Sequence, residues 1–189
     1  MEKIKIAISA CLLGQEVRYN GGHKHAPFCT QVLSKWFDYM PICPEVEIGL
    51  GVPREPIRLV MEDDQVKAKN VNDHKHDYTE QLADLAEKRI PELADVCGYI
   101  FMQKSPSCGV FRVKVYNTDG MPEYDPSMGA FSHQLKQHYP NLPMEEAGRL
   151  NDVHLRENFI TRVFANYDWQ QNVSGDPQPK KLVEFHTRY

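Results

Sequence analysis

The chain has 189 residues, with 22 Lys and Arg against 26 Asp and Glu, for a formal charge of −4. Hydrophobic residues make 41% and charged ones 25%, and no stretch approaches the ~20 apolar residues of a spanning helix, so a collagen, a disordered tail and a membrane protein are excluded. The length predicts one domain, or one plus a piece of another, with a core large enough to need no disulfides. Net acidity argues against a broad nucleic-acid-binding surface but leaves room for a local basic site.

Ile4, Ile6 and Ile8 alternate with Lys3, Lys5 and Ala7, a period of two that predicts a strand ending at Ser9-Ala10-Cys11. The same short alternating run lacks the layout of an export signal, which predicts a cytoplasmic, reducing compartment. Val32, Leu33, Trp36 and Phe37 fall at helical spacing within 26–37. A short apolar run over 38–42 leads into Cys43-Pro44-Glu45, kept extended by Pro41 and Pro44. Residues 57–69 predict two short strands around Glu62-Asp63-Asp64-Gln65. Asp77 to Leu93 is the clearest helix, with an apolar stripe at Leu82, Leu85, Ala86, Ile90 and Leu93 and a cap at Asp73 or Asp77. Residues 98–102 predict a buried strand and Phe111 to Tyr116 another. Residues 117–128 are rich in turn formers, whereas 131–139 and 145–165 predict helices. Polar, Pro- and Gly-containing sequence over 171–181 predicts a linker, and Leu182 to Tyr189 turns apolar again. Strands alternating with helices predict an α/β fold: a mostly parallel, Rossmann-like sheet flanked by helices.

Five cysteines are too few for a disulfide scaffold and odd in number. Cys11, Cys43 and Cys108 each follow a predicted strand, at the carboxyl ends where open α/β sheets bind ligands. If the three strands are parallel neighbours, the thiols converge. Structural zinc favours Cys-x-x-Cys pairs, and none occurs here. Three thiolates on a cubane iron–sulfur cluster leave one iron without a protein ligand, open to a soft substrate atom. Three structural cysteines are the competing reading. Cys29 and Cys97 lack the strand-end context and read as packing residues.

Glu45, two residues after Cys43, is a candidate general base. Ser105 and Ser107 flank Pro106 ahead of Cys108; Ser105 is taken as the catalytic hydroxyl and Ser107 as a substrate-binding one. In Arg18-Tyr19-Asn20-Gly21-Gly22, a planar heterocycle stacks on Tyr19 while Arg18 meets an acceptor or phosphate. Arg54 and Arg58 meet an anion, or pair with Glu45, Glu47 or Glu55. His23-Lys24-His25 and His74-Lys75-His76 complete no standard metal motif, and Gly49-Leu50-Gly51 lacks the rest of a dinucleotide fingerprint.

Five ordered segments carry a resemblance: Ser9-Ala10-Cys11-Leu12-Leu13-Gly14 with Arg18-Tyr19-Asn20-Gly21; Cys43-Pro44-Glu45-Val46; Gly51-Val52-Pro53-Arg54-Glu55-Pro56; and Ser105-Pro106-Ser107-Cys108-Gly109. Over about residues 1–150 the chain resembles the thiouracil desulfidase family. The resemblance implies a 4Fe–4S cluster on Cys11, Cys43 and Cys108, one open iron that takes a thiocarbonyl sulfur, and attack of water on the carbon with release of hydrogen sulfide. Glu45 and Ser105 are implied as the acid/base pair. Implied partners are a thiolated pyrimidine base, a nucleoside or tRNA, with no membrane. Lys181 to Tyr189 is similar to the opening of a helical second domain found fused in members that act on 4-thiouridine in tRNA. The expected division is therefore a catalytic domain over 1–168, a linker over 169–181 and the start of a truncated second domain over 182–189. Two other functions remain open: a noncatalytic module that binds modified RNA through Arg18, Tyr19 and Arg54, and a thiol redox or zinc protein using the same three cysteines.

Overall fold

The isoleucines of β1 (Ile4–Ser9) are buried on one face of a central strand and Ala7 on the other. In the computed structural model, which describes residues 2–189, β1 pairs in parallel with β2 (Phe37–Ile42) and with β5 (Tyr99–Phe101), and β5 pairs in parallel with β8 (Met144–Glu146). The sheet order β2-β1-β5-β8 leaves β2 at an edge, where Pro41 costs no ladder bond on its outer side. This is the expected parallel sheet of an α/β fold.

A second, mixed sheet was not expected. Its order is β4-β3-β6-β7, built from the antiparallel pair β3 (Ile57–Glu62) and β4 (Gln65–Asn70), with β6 (Val113–Tyr116) parallel to β3 and β7 (Pro122–Ser127) antiparallel to β6. β7 lies in the segment read as turns. Two prolines and two acids make Pro122-Glu123-Tyr124-Asp125-Pro126-Ser127 a poor strand by composition, yet an exposed, bulged edge tolerates them.

Side-chain alternation sends the parallel sheet into two cores. Ala7, Tyr99, Phe101 and Met144 face Leu82 and Ala86 of α2 (Thr79–Arg89), Phe131 and Leu135 of α3 (Ala130–His138), and Leu59 and Val115 of the second sheet. Ile6, Ile8 and Ile100 face Leu33, Phe37, and Phe159 and Val163 of α4 (Val153–Asn172). Each fully buried Ile or Phe contributes roughly 1.5–3 kcal/mol relative to exposure. α4 approaches closely: a Cβ on Gly98 would sit 2.6 Å from Val163 Cγ2.

Several expected boundaries shift for identifiable reasons. Residues 26–37 form no α-helix; a π-type turn over Phe28–Val32 and a 3₁₀ turn over Leu33–Lys35 lead directly into β2. Parallel pairing of Phe37 with Ile4 outweighs the helical spacing of Val32, Leu33, Trp36 and Phe37. Glu145 and Glu146 belong to β8, and α4 starts only at Val153, where the Asp152 side chain accepts the Leu155 N–H at 3.0 Å. α4 then runs to Asn172, and α5 (Pro179–Arg188) begins on a proline, so the non-helical stretch between them is 173–178. α5 meets α4 through Trp169 against Phe185 and an Arg188–Asp168 ion pair at 2.9 Å. No helix among the described residues is long and apolar enough to cross a membrane.

Candidate active site

β2, β1 and β5 run side by side in one direction, so their carboxyl ends share one edge of the sheet. Cys11 sits in the 3₁₀ turn Ala10–Leu13 that follows β1 directly. Cys43 follows β2 and precedes α1 (Pro44–Glu47), whose first residue is a proline preset for a helical turn. Cys108 lies in the loop after β5. Ser9 joins two of these ends: its Oγ accepts the Met102 N–H at 2.9 Å and lies 3.6 Å from Cys108 Sγ. Gly109 follows Cys108 where a Cβ would come within 2.7 Å of Ser105 O and 2.6 Å of Val113 Cγ2. Only glycine fits that turn.

These ends surround a cavity of about 540 Å³. Nine residues singled out in the sequence line it: Cys11, Cys43 and Cys108; Glu45, Ser105 and Ser107; Arg18, Tyr19 and Arg54. Arg58 does not; its guanidinium lies over the Tyr116 ring in the second sheet. Cys29 and Cys97 are buried in the second core, and no cysteine of the chain is in a disulfide among the described residues.

The polar side chains are joined in a row. Ser107 Oγ donates to Glu45 Oε1 at 2.6 Å, and Ser105 Oγ lies 2.9 Å from Ser107 Oγ. Arg54 Nε donates to Glu45 Oε2 at 2.8 Å, while its other nitrogens donate to Gly51 O at 2.8 Å and Val17 O at 2.9 Å. A buried carboxylate is costly unless paired and hydrogen-bonded, and Glu45 has both kinds of partner. Arg54, expected at the substrate, has its first partners on the protein and orients Glu45. Ser107 is 1% exposed and lies behind Ser105, which is half-buried at the cavity wall.

The three thiols share a strained electrostatic position. Burial pushes Cys11 up to about 12, helped by the neighbouring Cys108 and Cys43. Burial likewise lifts Cys108 to about 11, against hydrogen bonds from Ser105 and Ser9. Cys43 is raised by burial too, partly offset by the Val46 backbone N–H and by Arg54. Near neutral pH the thiols are therefore protonated unless a bound cation compensates them, and metal binding releases their protons. Among the described residues no group of three His, Cys, Asp or Glu is close enough to hold a single metal ion. A cubane binds each thiolate to a different iron and so spreads its ligands wider than one ion does; soft, uncrosslinked thiols on three sides of a cavity fit such a group.

The mouth of the cavity is cationic. Arg18, Lys24 and Lys104 line it, and none has a carboxylate partner among the described residues. Arg18 lies 5.6 Å from the Tyr19 ring centroid. Lys24 is the middle of the first histidine triplet. Its backbone explains its place, because the Lys24 N–H donates to Cys11 O at 3.0 Å. The histidines turn elsewhere: His25 Nε2 lies 2.8 Å from Thr30 Oγ1 and His76 Nδ1 2.9 Å from Asp73.

Residues 6–147 match the family described as 2-thiouracil desulfurase. YbbK of Bacillus subtilis (strain 168), described as an uncharacterized protein, is 32% identical over 110 residues, spanning 55% of this chain and 72% of that one. A solved structure described as the [4Fe–4S]-dependent thiouracil desulfidase TudS superposes with a TM-score of 0.62 at 25% identity, covering 82% of this chain and 99% of its own. With three strand-end cysteines and the Glu45 row inside the matched span, the chain belongs to the 2-thiouracil desulfurase family.

Proposed function

We propose that this chain is a desulfidase that exchanges the sulfur of a thiolated pyrimidine for oxygen: C=S plus H₂O gives C=O plus H₂S, with no net redox change. The observation that carries the reading is the hydrogen-bonded row Ser105–Ser107–Glu45–Arg54 on the wall of a cavity ringed by three strand-end thiols. Cys11, Cys43 and Cys108 would hold a 4Fe–4S cluster, which when bound supplies a Lewis-acidic iron without a protein ligand for the thiocarbonyl sulfur. Tyr19, exposed at the cavity, offers a stacking face for the pyrimidine ring.

Glu45 takes a proton from water as the water attacks the thiocarbonyl carbon. Arg54 holds the receiving carboxylate in one orientation, aimed at the cavity. Ser105 is the hydroxyl that reaches the substrate, and it gives a proton to the departing sulfur. Ser107 connects the two: the proton collected on Glu45 passes through Ser107 to Ser105, which restores the acid. The catalytic pair is therefore Glu45 and Ser105, with Ser107 between them.

The substrate is 4-thiouridine within tRNA or free thiouracil. Support for the RNA-linked form comes from Arg18, Lys24 and Lys104, three cations at the mouth of a chain of net charge −4.

Anaerobic purification and reconstitution, with iron and sulfide measured and loss of thiocarbonyl absorbance followed, tests the reading. Single changes of Cys11, Cys43 and Cys108 to Ser are expected to lose both iron and activity. A chain that takes up no iron, or Ser variants with full turnover, would overturn it.

A further inference from the structure

β8 ends in two carboxylates that the strand buries. Glu145 is 7% exposed and Glu146 5%. An ionised carboxylate in such a place needs a partner. Glu145 has one: Arg149 Nε donates to its Oε1 at 2.7 Å, and the Glu146 N–H donates to the same atom at 2.9 Å. Glu146 has no cation in ion-pair range among the described residues. Its Oε1 instead accepts two successive backbone N–H groups, from Val110 and from Phe111, each at 2.9 Å.

Those two amides lie two and three residues beyond Cys108. The near side of the same loop is fixed independently, by the Gly109 N–H on Ser105 O at 2.8 Å and by the N-terminal end of α3, where Ser132 Oγ donates to Gly109 O at 2.7 Å. At the exit, Glu146 accepts the backbone N–H groups, while the Phe111 side chain lies under the Arg149 guanidinium. Glu146 reaches there because β8 is parallel to β5 and ends at the same sheet edge, Phe101 facing Glu146 across the ladder. A carboxylate from the neighbouring strand thus anchors the segment that carries the third thiol.

We propose that Glu146 is the positioning residue for Cys108: its carboxylate, by accepting the Val110 and Phe111 N–H groups, fixes the loop so that the Cys108 sulfur stands where an iron–sulfur cluster requires it. This rests on the desulfidase reading for what Cys108 binds. The feature required of residue 146 is an acceptor oxygen, which glutamine also offers, and not the negative charge.

The test uses the full chain and the variants Glu146→Gln and Glu146→Ala. Amide hydrogen exchange on the cluster-free proteins is the first arm. Val110 and Phe111 are expected to exchange at least tenfold faster in E146A than in wild type, with Gly129, whose N–H donates to Gly109 O, unchanged. E146Q is expected to stay close to wild type. Iron and sulfide per chain after anaerobic reconstitution, with the visible absorbance of the cluster, is the second arm. E146A is expected to retain severalfold less iron and E146Q to match wild type. Equal loading of E146A and wild type, or unchanged exchange at Val110 and Phe111, would overturn the inference and leave the desulfidase reading standing. Failure of the wild-type chain itself to take up iron would overturn that reading and the role of Glu146 in it. If E146A does not fold, E146Q still decides: loss of iron there, with the fold retained, refutes an acceptor-only role.

Discussion

The Glu45 carboxylate is held from both sides, and the two sides do different things. Ser107 Oγ approaches Oε1 at 2.6 Å and Arg54 Nε approaches Oε2 at 2.8 Å. Ser105 and Ser107 act as one chain, so their losses do not add. S105A and S107A are each expected to lower kcat by roughly 10²-fold, and the double variant to be no slower than the slower single one. Losses that multiply would place the two hydroxyls in separate steps. Arg54 is a different case. Lysine keeps the charge but cannot span Glu45, Gly51 O and Val17 O together, because its ammonium is a point donor. R54K is expected to load iron normally and lose about tenfold in kcat, whereas R54A strips a buried pair of one partner and destabilises the fold by about 3–5 kcal/mol in urea titration. Site residues were legible here because local neighbours carry them: Glu45 two residues from Cys43, Ser105 and Ser107 beside Cys108. Pairings across the fold were not. Glu45 was one of three carboxylates open to Arg54, with nothing to choose among them, and Glu146 reaches a loop from another strand, for which one sequence contains no signal.

At the level of elements, short caps and hairpins decide boundaries that periodicity misses. α4 begins at Val153 because Asp152 caps it, and replacing that cap is expected to destabilise the helix start. In a melting experiment D152A should therefore lower Tm by roughly 2–4 °C, with D152N nearly restoring it. The β3–β4 hairpin carries a pH-dependent term. Hydrogen bonds from Lys67 and Lys69 hold the Glu62 carboxyl at about 2, below its ordinary 4.5. A depressed carboxyl stabilises the fold above its unfolded value, so this contribution is full above about 4.5 and fades as the pH falls towards 2. E62Q is expected to flatten that part of the acid-unfolding curve by lowering stability at neutral pH, where the contribution is full, while leaving stability near pH 2 little changed, because Glu62 is the partner of the buried Lys69. β1, β3, β4 and β6 were readable from alternation. β2 was read from the short apolar run ahead of Cys43 despite Pro41; β7 was not, since Pro122 and Pro126 contradict strand propensity and only an edge position makes them acceptable.

Taken whole, the molecule turns three distant cysteines into neighbours by strand order alone. Residues 11, 43 and 108 converge because β2, β1 and β5 are adjacent and parallel. That adjacency was a condition in the sequence reading, and the sheet meets it. The second sheet was illegible because its parallel β3–β6 pair joins residues far apart in sequence. The same convergence sets Arg18 and Lys24, from the loop after β1, and Lys104, from the loop after β5, around one opening. Their charge matters only to a substrate that brings phosphates. Free thiouracil has none, so its kcat/KM is expected to change little with salt or when these cations are removed. For a tRNA carrying 4-thiouridine, three neutralised phosphates imply that log(1/KM) falls against log salt with a slope of about −2 to −3. The triple change R18A/K24A/K104A is expected to abolish most of that slope and to raise KM for tRNA at low salt. Measuring both substrates between low and physiological salt separates the cases. A salt slope equal for thiouracil and tRNA, or one untouched by the triple change, would assign phosphate recognition to another part of the surface.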